Sequence, residues 1–232
     1  MKETDLGPPV SAWFRDLGWE TGWDVYQEVS LPSGCCDMVV RHGTIIGAVE
    51  LKLRLGFDVL EQGARHRPFV HYTWVAVPGR PLHAASLQAK VADMLGLGVL
   101  CVRERAAGSS DDYGVNARLV TESVEPKLTR RIKQPDIAKY LHEEQKTFSP
   151  AGSSGAPRWT PWKAMCKEIK AAVAQNPGIT LKELVVAAKH RYRTPKAARV
   201  AFYSWLHKDI VPGVHARKDE AGTLRVWPRA EA

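Results

Sequence analysis

The sequence predicts two folded units: an α/β domain built on a mixed sheet flanked by helices, and a smaller α+β unit behind it. Three observations carry this expectation. Short apolar runs with strand alternation are interleaved with helix-spaced segments up to about residue 148. The stretch "SPAGSSGAPR" at 149–158 then breaks all periodicity, as a flexible linker does. Beyond it the charge changes. Residues 1–155 carry 18 Lys/Arg against 19 Asp/Glu, whereas residues 156–232 carry 15 against 6. The expected organisation is an α/β domain at 1–148, a linker at 149–158 and a basic domain at 159–232.

In the first unit, "PPVSAWFRDLG" (8–18) reads as a helix, with prolines at its start and glycine after its end. "WDVYQEVSL", "CDMVVRHG" and "TIIGAVELKL" follow as three strands, the last two joined by the turn "RHGT". "GFDVLEQGARHR" is helical in spacing, with Phe57, Leu60 and Ala64 expected on its buried face. "YTWVAVP" is a buried strand closed by Pro78, "SLQAKVADMLG" a helix ending at Gly96, and "LGVLCVRE" a strand. "ARLVTES" adds a strand, and "QPDIAKYLHEEQKTF" (134–148) a late helix opened by Pro135.

The second unit reads differently. "TPWKAMCKEIKAAVAQNPG" has Thr160 as N-cap, Pro161 at the first helical position and an Asn-Pro-Gly stop. Thr180 and Glu183 form a capping box before the next helix. "TPKAARVAFYSWLHK" is a third helix: Ala198, Ala201, Phe202 and Trp205 share one face, and Lys196, Arg199, Tyr203 and His207 the opposite one. "VHARKDEAGTLRVW" is a hairpin carrying Arg217, Lys218 and Arg225. Three helices and a hairpin with this charge predict a winged helix-turn-helix whose basic helix enters a DNA groove, those seven polar residues making the contacts. A winged helix that binds protein is the competing use.

The net charge of +8 comes from this last third. The four cysteines (Cys35, Cys36, Cys101, Cys166) form no CxxC pair, which favours reduced thiols and a cytoplasmic setting. No apolar run is long enough to span a bilayer, so no membrane association is expected. Glycine-rich phosphate loops, nucleotide fingerprints and Ser/His/Asp arrangements are absent from the sequence.

The chemistry lies in two acids placed in or beside apolar strands. Glu50 and Lys52 are two apart in one strand, so their side chains leave the same face about 6.6 Å apart. Asp37 falls on the antiparallel neighbour across the four-residue turn. Carboxylates converging away from water repel unless a cation lies between them. Mg²⁺, with Mn²⁺ as substitute, takes such oxygen ligands, and a nearby lysine can position water or stabilise phosphorane charge. Glu-x-Lys also occurs at Glu125/Lys127 and Glu144/Lys146, but only Glu50/Lys52 sits in an apolar strand with an upstream Asp.

These residues resemble the PD-(D/E)xK, or restriction-endonuclease-like, nuclease superfamily, over roughly residues 8–105. The texture "D-x-V-V…G…V-E-L-K…L-E-Q-G-A…V-A-V-P" is particularly similar to the branch that includes Holliday-junction-resolvase-like proteins and bacterial and phage nucleases. The resemblance implies an αβββαβ core with Asp37, Glu50, Lys52 and Gln62 as catalytic residues, and Asp37, Glu50 and the Leu51 backbone as metal ligands. Many members also carry a Glu on the first helix. Here that helix offers only Asp16, so Glu20 or Glu28 substitutes or the position is missing; Glu28 is the better placed, on a strand beside that of Asp37.

His66 and His71, which follow the Gln62 helix, read as ordinary surface or satisfied histidines, with contact to a scissile phosphate as the competing role; Arg54, Arg65 and Arg67 read equally as phosphate guides or solvated charge, and Trp159 and Trp162 as candidates for an interdomain contact. The expected function is a Mg²⁺-dependent DNA endonuclease acting on duplex or branched DNA, with one site per chain favouring a homodimer for double-strand cleavage. A DNA-binding regulator built on an inactive nuclease fold is the alternative. An RNA-binding role has less support, since no aromatics interleave the basic strands.

Overall fold

The structure, a computed structural model, describes residues 1–17, 22–104, 118–129, 137–153, 158–188, 190 and 192–229. The chain divides into two compact units, Met1–Trp159 and Thr160–Ala232. Among the described residues, no helix is long and apolar enough to cross a membrane.

The first unit is a mixed α/β fold. Helix α1 (Gly7–Asp16) holds Pro8 and Pro9 in its first turn, where no intrahelical N–H is needed. Leu6, Val10 and Phe14 recur every fourth residue and are fully buried. The sheet runs β1 (Asp24–Leu31), β2 (Gly34–His42), β3 (Ile45–Leu51), β4 (Tyr72–Pro78), β5 (Gly98–Glu104) and β6 (Arg118–Val124), in that spatial order. β1, β2 and β3 are antiparallel neighbours; β4 and β5 add in parallel after the crossover helices α2 (Phe57–His66) and α3 (Leu87–Leu95). β6 returns antiparallel to β5. This six-stranded mixed sheet is the one the hydrophobic pattern predicts.

One face of the sheet buries Met38, Val49, Leu51 and Trp74 against Phe14 of α1. On the other, α2 and α3 cover Val75, Val77 and Val99 with Val59, Leu60 and Ala92. Gly63 makes the α2 approach close: a Cβ there would lie 3.2 Å from a Val75 methyl and 3.4 Å from Leu97. Gly96 closes α3 in the left-handed region, φ 69°.

The second unit contains α4 (Pro161–Gln175), β7 (Ile179–Thr180), α5 (Leu181–Ala187), α6 (Pro195–His207), β8 (Val214–Lys218) and β9 (Leu224–Pro228). Its strands order β7-β9-β8, all antiparallel. Thr160, Thr180 and Thr194 each accept a backbone N–H three residues on, and Glu183 completes the box at Thr180. α6 buries Ala198, Phe202 and Leu206, with Ala201 and Trp205 half-buried.

Three expectations change. On α2 the buried residues are Val59, Leu60, Gly63 and His66, while Phe57 is 79% exposed and Ala64 half-buried. Phe57 opens the helix, where the chain is still leaving the sheet. The described part of 134–148 is not one helix but two 3-10 turns, Ala138–Tyr140 and Glu143–Lys146, with extended backbone at Leu141 and His142. Ile137 packs into the cluster of Tyr26 and Val29, and Lys146 reaches Asp24, so contacts with β1 outweigh a weak helical period. Residues 149–153 do not hang free. Ser149 and Ala151 are buried, and the Ala151 N–H donates to Gln27 Oε1 at 2.8 Å. The boundary accordingly falls at Trp159, whose ring packs on Phe148, while Trp162 packs on Trp205 in the second unit.

Candidate active site and basic helix

The strand register sets three acids at one level. Gln27 pairs with Met38 and Val29 with Cys36, so Glu28 faces Asp37 across β1 and β2. Met38 pairs with Val49, and one step further places Asp37 beside Glu50. Glu28 is 2% exposed and Glu50 4%, both deep for acids. Regular pairing lapses at Glu28, whose φ of 51° lies in the left-handed region that non-glycine residues rarely adopt. β2 is irregular at the same point. Cys36 and Val39 share one core cluster, although three-residue spacing puts side chains on opposite faces of a regular strand.

Asp37 accepts the Leu51 N–H at 2.8 Å, so Leu51, expected as a metal ligand, contributes its amide to the site by holding this carboxylate. Burial, then the charges of Glu50 and Glu28, outweigh that bond and the nearby Lys52 and push the Asp37 carboxyl up to about 8. Glu50 Oε1 lies 2.8 Å from His66 Nε2 on α2, and His66 Nδ1 lies 2.7 Å from Ser33 Oγ at the β1–β2 turn. Glu28 accepts the Ser153 N–H at 3.2 Å and Arg158 Nε at 3.0 Å. It also accepts from Cys35 Sγ at 3.6 Å; burial first, then Glu28's charge, drives that thiol up to about 12. Lys52 sits 3.3 Å from Glu3, in the 3-10 turn before α1. Burial pulls the Lys52 pKa down, but Glu3, Asp37 and Glu50 outweigh it and leave it above its ordinary value.

Asp37, Glu50, Lys52 and Glu28 therefore come together as the sequence predicts. Gln62 lies on α2 four residues before His66, on the same helix face, and its Oε1 is buried with no hydrogen-bond partner. Asp16 is exposed, and Glu20 lies outside the described residues. Two contacts lie outside the sequence expectation: His66, weighed there as a phosphate contact, instead meets Glu50, and Lys52 meets Glu3. His66 is 2% exposed and bonded at both ring nitrogens, and its spacing from Gln62 was the available signal. Glu3 lay upstream of every periodic segment and gave no signal. His71 is a satisfied histidine, Nδ1 accepting the Ile46 N–H at 3.1 Å. Arg65 pairs with Glu61, and Arg67 donates to the Leu95 carbonyl.

In the second unit, Lys196, Arg199, Tyr203 and His207 are exposed along one stripe of α6, Tyr203 stacking on His207 at 5.7 Å. Arg217 and Lys218 are exposed on β8, with Arg217 over the Trp227 ring. Arg225 is half-buried and committed elsewhere: it donates to Asp219 at 2.7 Å and to the Gly178 carbonyl at 3.0 Å.

No protein-family model, curated protein or solved structure matches this chain.

Proposed function

We propose that this chain is a divalent-metal-dependent DNA endonuclease of the PD-(D/E)xK type, with the second unit acting as a winged helix that holds duplex or branched DNA. The observation that carries the reading is the row of Glu28, Asp37 and Glu50 on three adjacent strands, with Lys52 one step beyond. The donor set fits a hard cation: carboxylate oxygens crowded away from water until Asp37 resists ionising. Asp37 and Glu50 would hold Mg²⁺ or Mn²⁺, with Glu28 at the edge of the row, and the ion would supply charge neutralisation at the scissile phosphate and a water of lowered pKa.

The residues of the chain divide the remaining work. Lys52, held cationic, is suited to stabilise negative charge developing on phosphoryl oxygens rather than to take a proton from water. The Leu51 amide fixes Asp37, and His66 fixes Glu50. The order α4-β7-α5-α6-β8-β9 supports a reading as a helix-turn-helix followed by a β wing, with the α6 stripe as the proposed recognition helix. Arg217 and Lys218 then serve phosphates, while Arg225 braces the hairpin.

A second reading has its own observation. Glu28, Glu50 and Lys52 already have protein partners in Arg158, His66 and Glu3, as in a scaffold that needs no ion. Incubating the full chain with linear, nicked, branched and supercoiled DNA separates the two. The nuclease reading expects cleavage with Mg²⁺ or Mn²⁺ and none in chelator, with Ca²⁺ supporting little hydrolysis. Binding without cleavage in every metal favours the scaffold, and equal cleavage in chelator sinks the metal mechanism.

A further inference from the structure

Beside the carboxylate row lies a group of different chemistry. The ligand atoms of Cys36, Glu50 and His66 lie within 4.8 Å of one another, and the three residues are 0%, 4% and 2% exposed. We infer that these three side chains form a binding site for a borderline transition ion of the Zn²⁺ or Co²⁺ class, distinct in ligand type from the Mg²⁺ row and sharing Glu50 with it.

The ligand set decides the ion. Mg²⁺ takes oxygen, whereas one sulfur, one imidazole nitrogen and one carboxylate oxygen are a zinc-type set. Tetrahedral bonds of about 2.0–2.3 Å put ligand atoms roughly 3.5 Å apart. The 2.8 Å between His66 Nε2 and Glu50 Oε1 and the 4.8 Å limit of the group bracket that value, so small side-chain shifts suffice. The imidazole has its outer partner in place. Ser33 Oγ, 2.7 Å from Nδ1, can accept a hydrogen bond from Nδ1–H, which fixes the tautomer and leaves Nε2 free as the ligand. Cys36 Sγ donates to the Met38 carbonyl at 3.0 Å; on ion binding that proton leaves to solvent and the thiolate turns to the metal. Three protein ligands leave a fourth position open. Cys36 breaks the alternation of β2 by sharing the cluster of Val39 and Ala48, and its thiol thereby lies with Glu50 of β3 and His66 of α2.

Co²⁺ titrated into the full chain under reducing conditions and excess Mg²⁺ is the test. One equivalent should bind and produce a near-ultraviolet thiolate-to-cobalt absorption. Cys36→Ser should abolish that absorption, and His66→Gln should weaken binding by on the order of tenfold or more. An absent band, or one unchanged in Cys36→Ser, overturns the site. If Cys36→Ser does not fold, X-ray absorption of the zinc-loaded wild-type chain decides: one sulfur among nitrogen and oxygen is expected, and a shell of nitrogen and oxygen alone overturns it. The inference shares Glu50 with the nuclease reading, yet the two fail separately. A band without Mg²⁺-dependent cleavage keeps the ion site and ends the nuclease. Cleavage without a band ends only the ion site.

Discussion

Asp37 carries the most direct consequence of crowding. Its folded pKa of about 8 stands above the ordinary 3.8, so between those values the folded chain holds a proton that the unfolded chain has released. Stability therefore falls as pH rises through that window in metal-free protein, the reverse of a salt-bridged acid. Asp37→Asn keeps an oxygen for the Leu51 N–H and removes the ionisation. In chelator at pH 7–8 its Tm should exceed wild type by several degrees, on the scale of about 2–4 °C per kcal/mol for a chain this long. The gain should vanish near pH 4, and a gain independent of pH would assign the effect to packing. Lys52 separates chemistry from binding. Lys52→Ala should lower turnover by about two to three orders of magnitude while DNA affinity changes little, as kinetics beside a binding titration would show. Of these residues, Asp37, Glu50 and Lys52 were legible, because a short turn between alternating strands fixes which side chains meet. The meeting of Cys36 with His66 was not. It depends on a local break in strand alternation and on how closely Gly63 lets α2 settle.

Among the elements, α6 has two faces with separable failures. Phe202 is fully buried between α4, α5 and the hairpin, so Phe202→Ala should cost about 3–5 kcal/mol and unfold a unit this small. Replacing Lys196 and Arg199 together should leave the fold intact and reduce the slope of log affinity against log salt by up to about two units. Circular dichroism beside a salt titration distinguishes the two, and a slope unmoved by the double change would remove α6 from the DNA interface. The helices and strands were legible where local signals agree: three threonine N-caps, a capping box and Pro at the first turn all lie where they are expected. Residues 137–148 show the limit. Their apolar side chains serve β1 rather than a helix face of their own, and no local pattern reports a distant partner. The outward Phe57 is a similar case, set by where the chain leaves the sheet.

For the whole molecule, the charge division and the structural division coincide, which predicts how the chain can be cut. A fragment of residues 1–159 should fold by itself, because Ala151, Arg158 and Trp159 complete the first unit, and ending it at Pro150 would strip Glu28 of its Arg158 and Ser153 partners. The fragment should lose most duplex affinity, since the basic excess leaves with the second unit. Unchanged affinity would reassign that unit to a protein partner. Two-unit organisation, with the second unit starting at about residue 159, was legible from composition and caps; the packing of 149–153 was not, because Ser, Gly and Ala look alike whether they pack or stay solvated. The proposed nuclease depends on buried acids of adjacent strands performing metal-dependent chemistry. Its sharpest test is Mg²⁺-supported cleavage of supercoiled plasmid by wild type, Asp37→Asn and Glu50→Gln at equal concentration. Wild type should nick or linearise the plasmid and both variants should leave it intact. Plasmid cut equally by all three would make the acids structural.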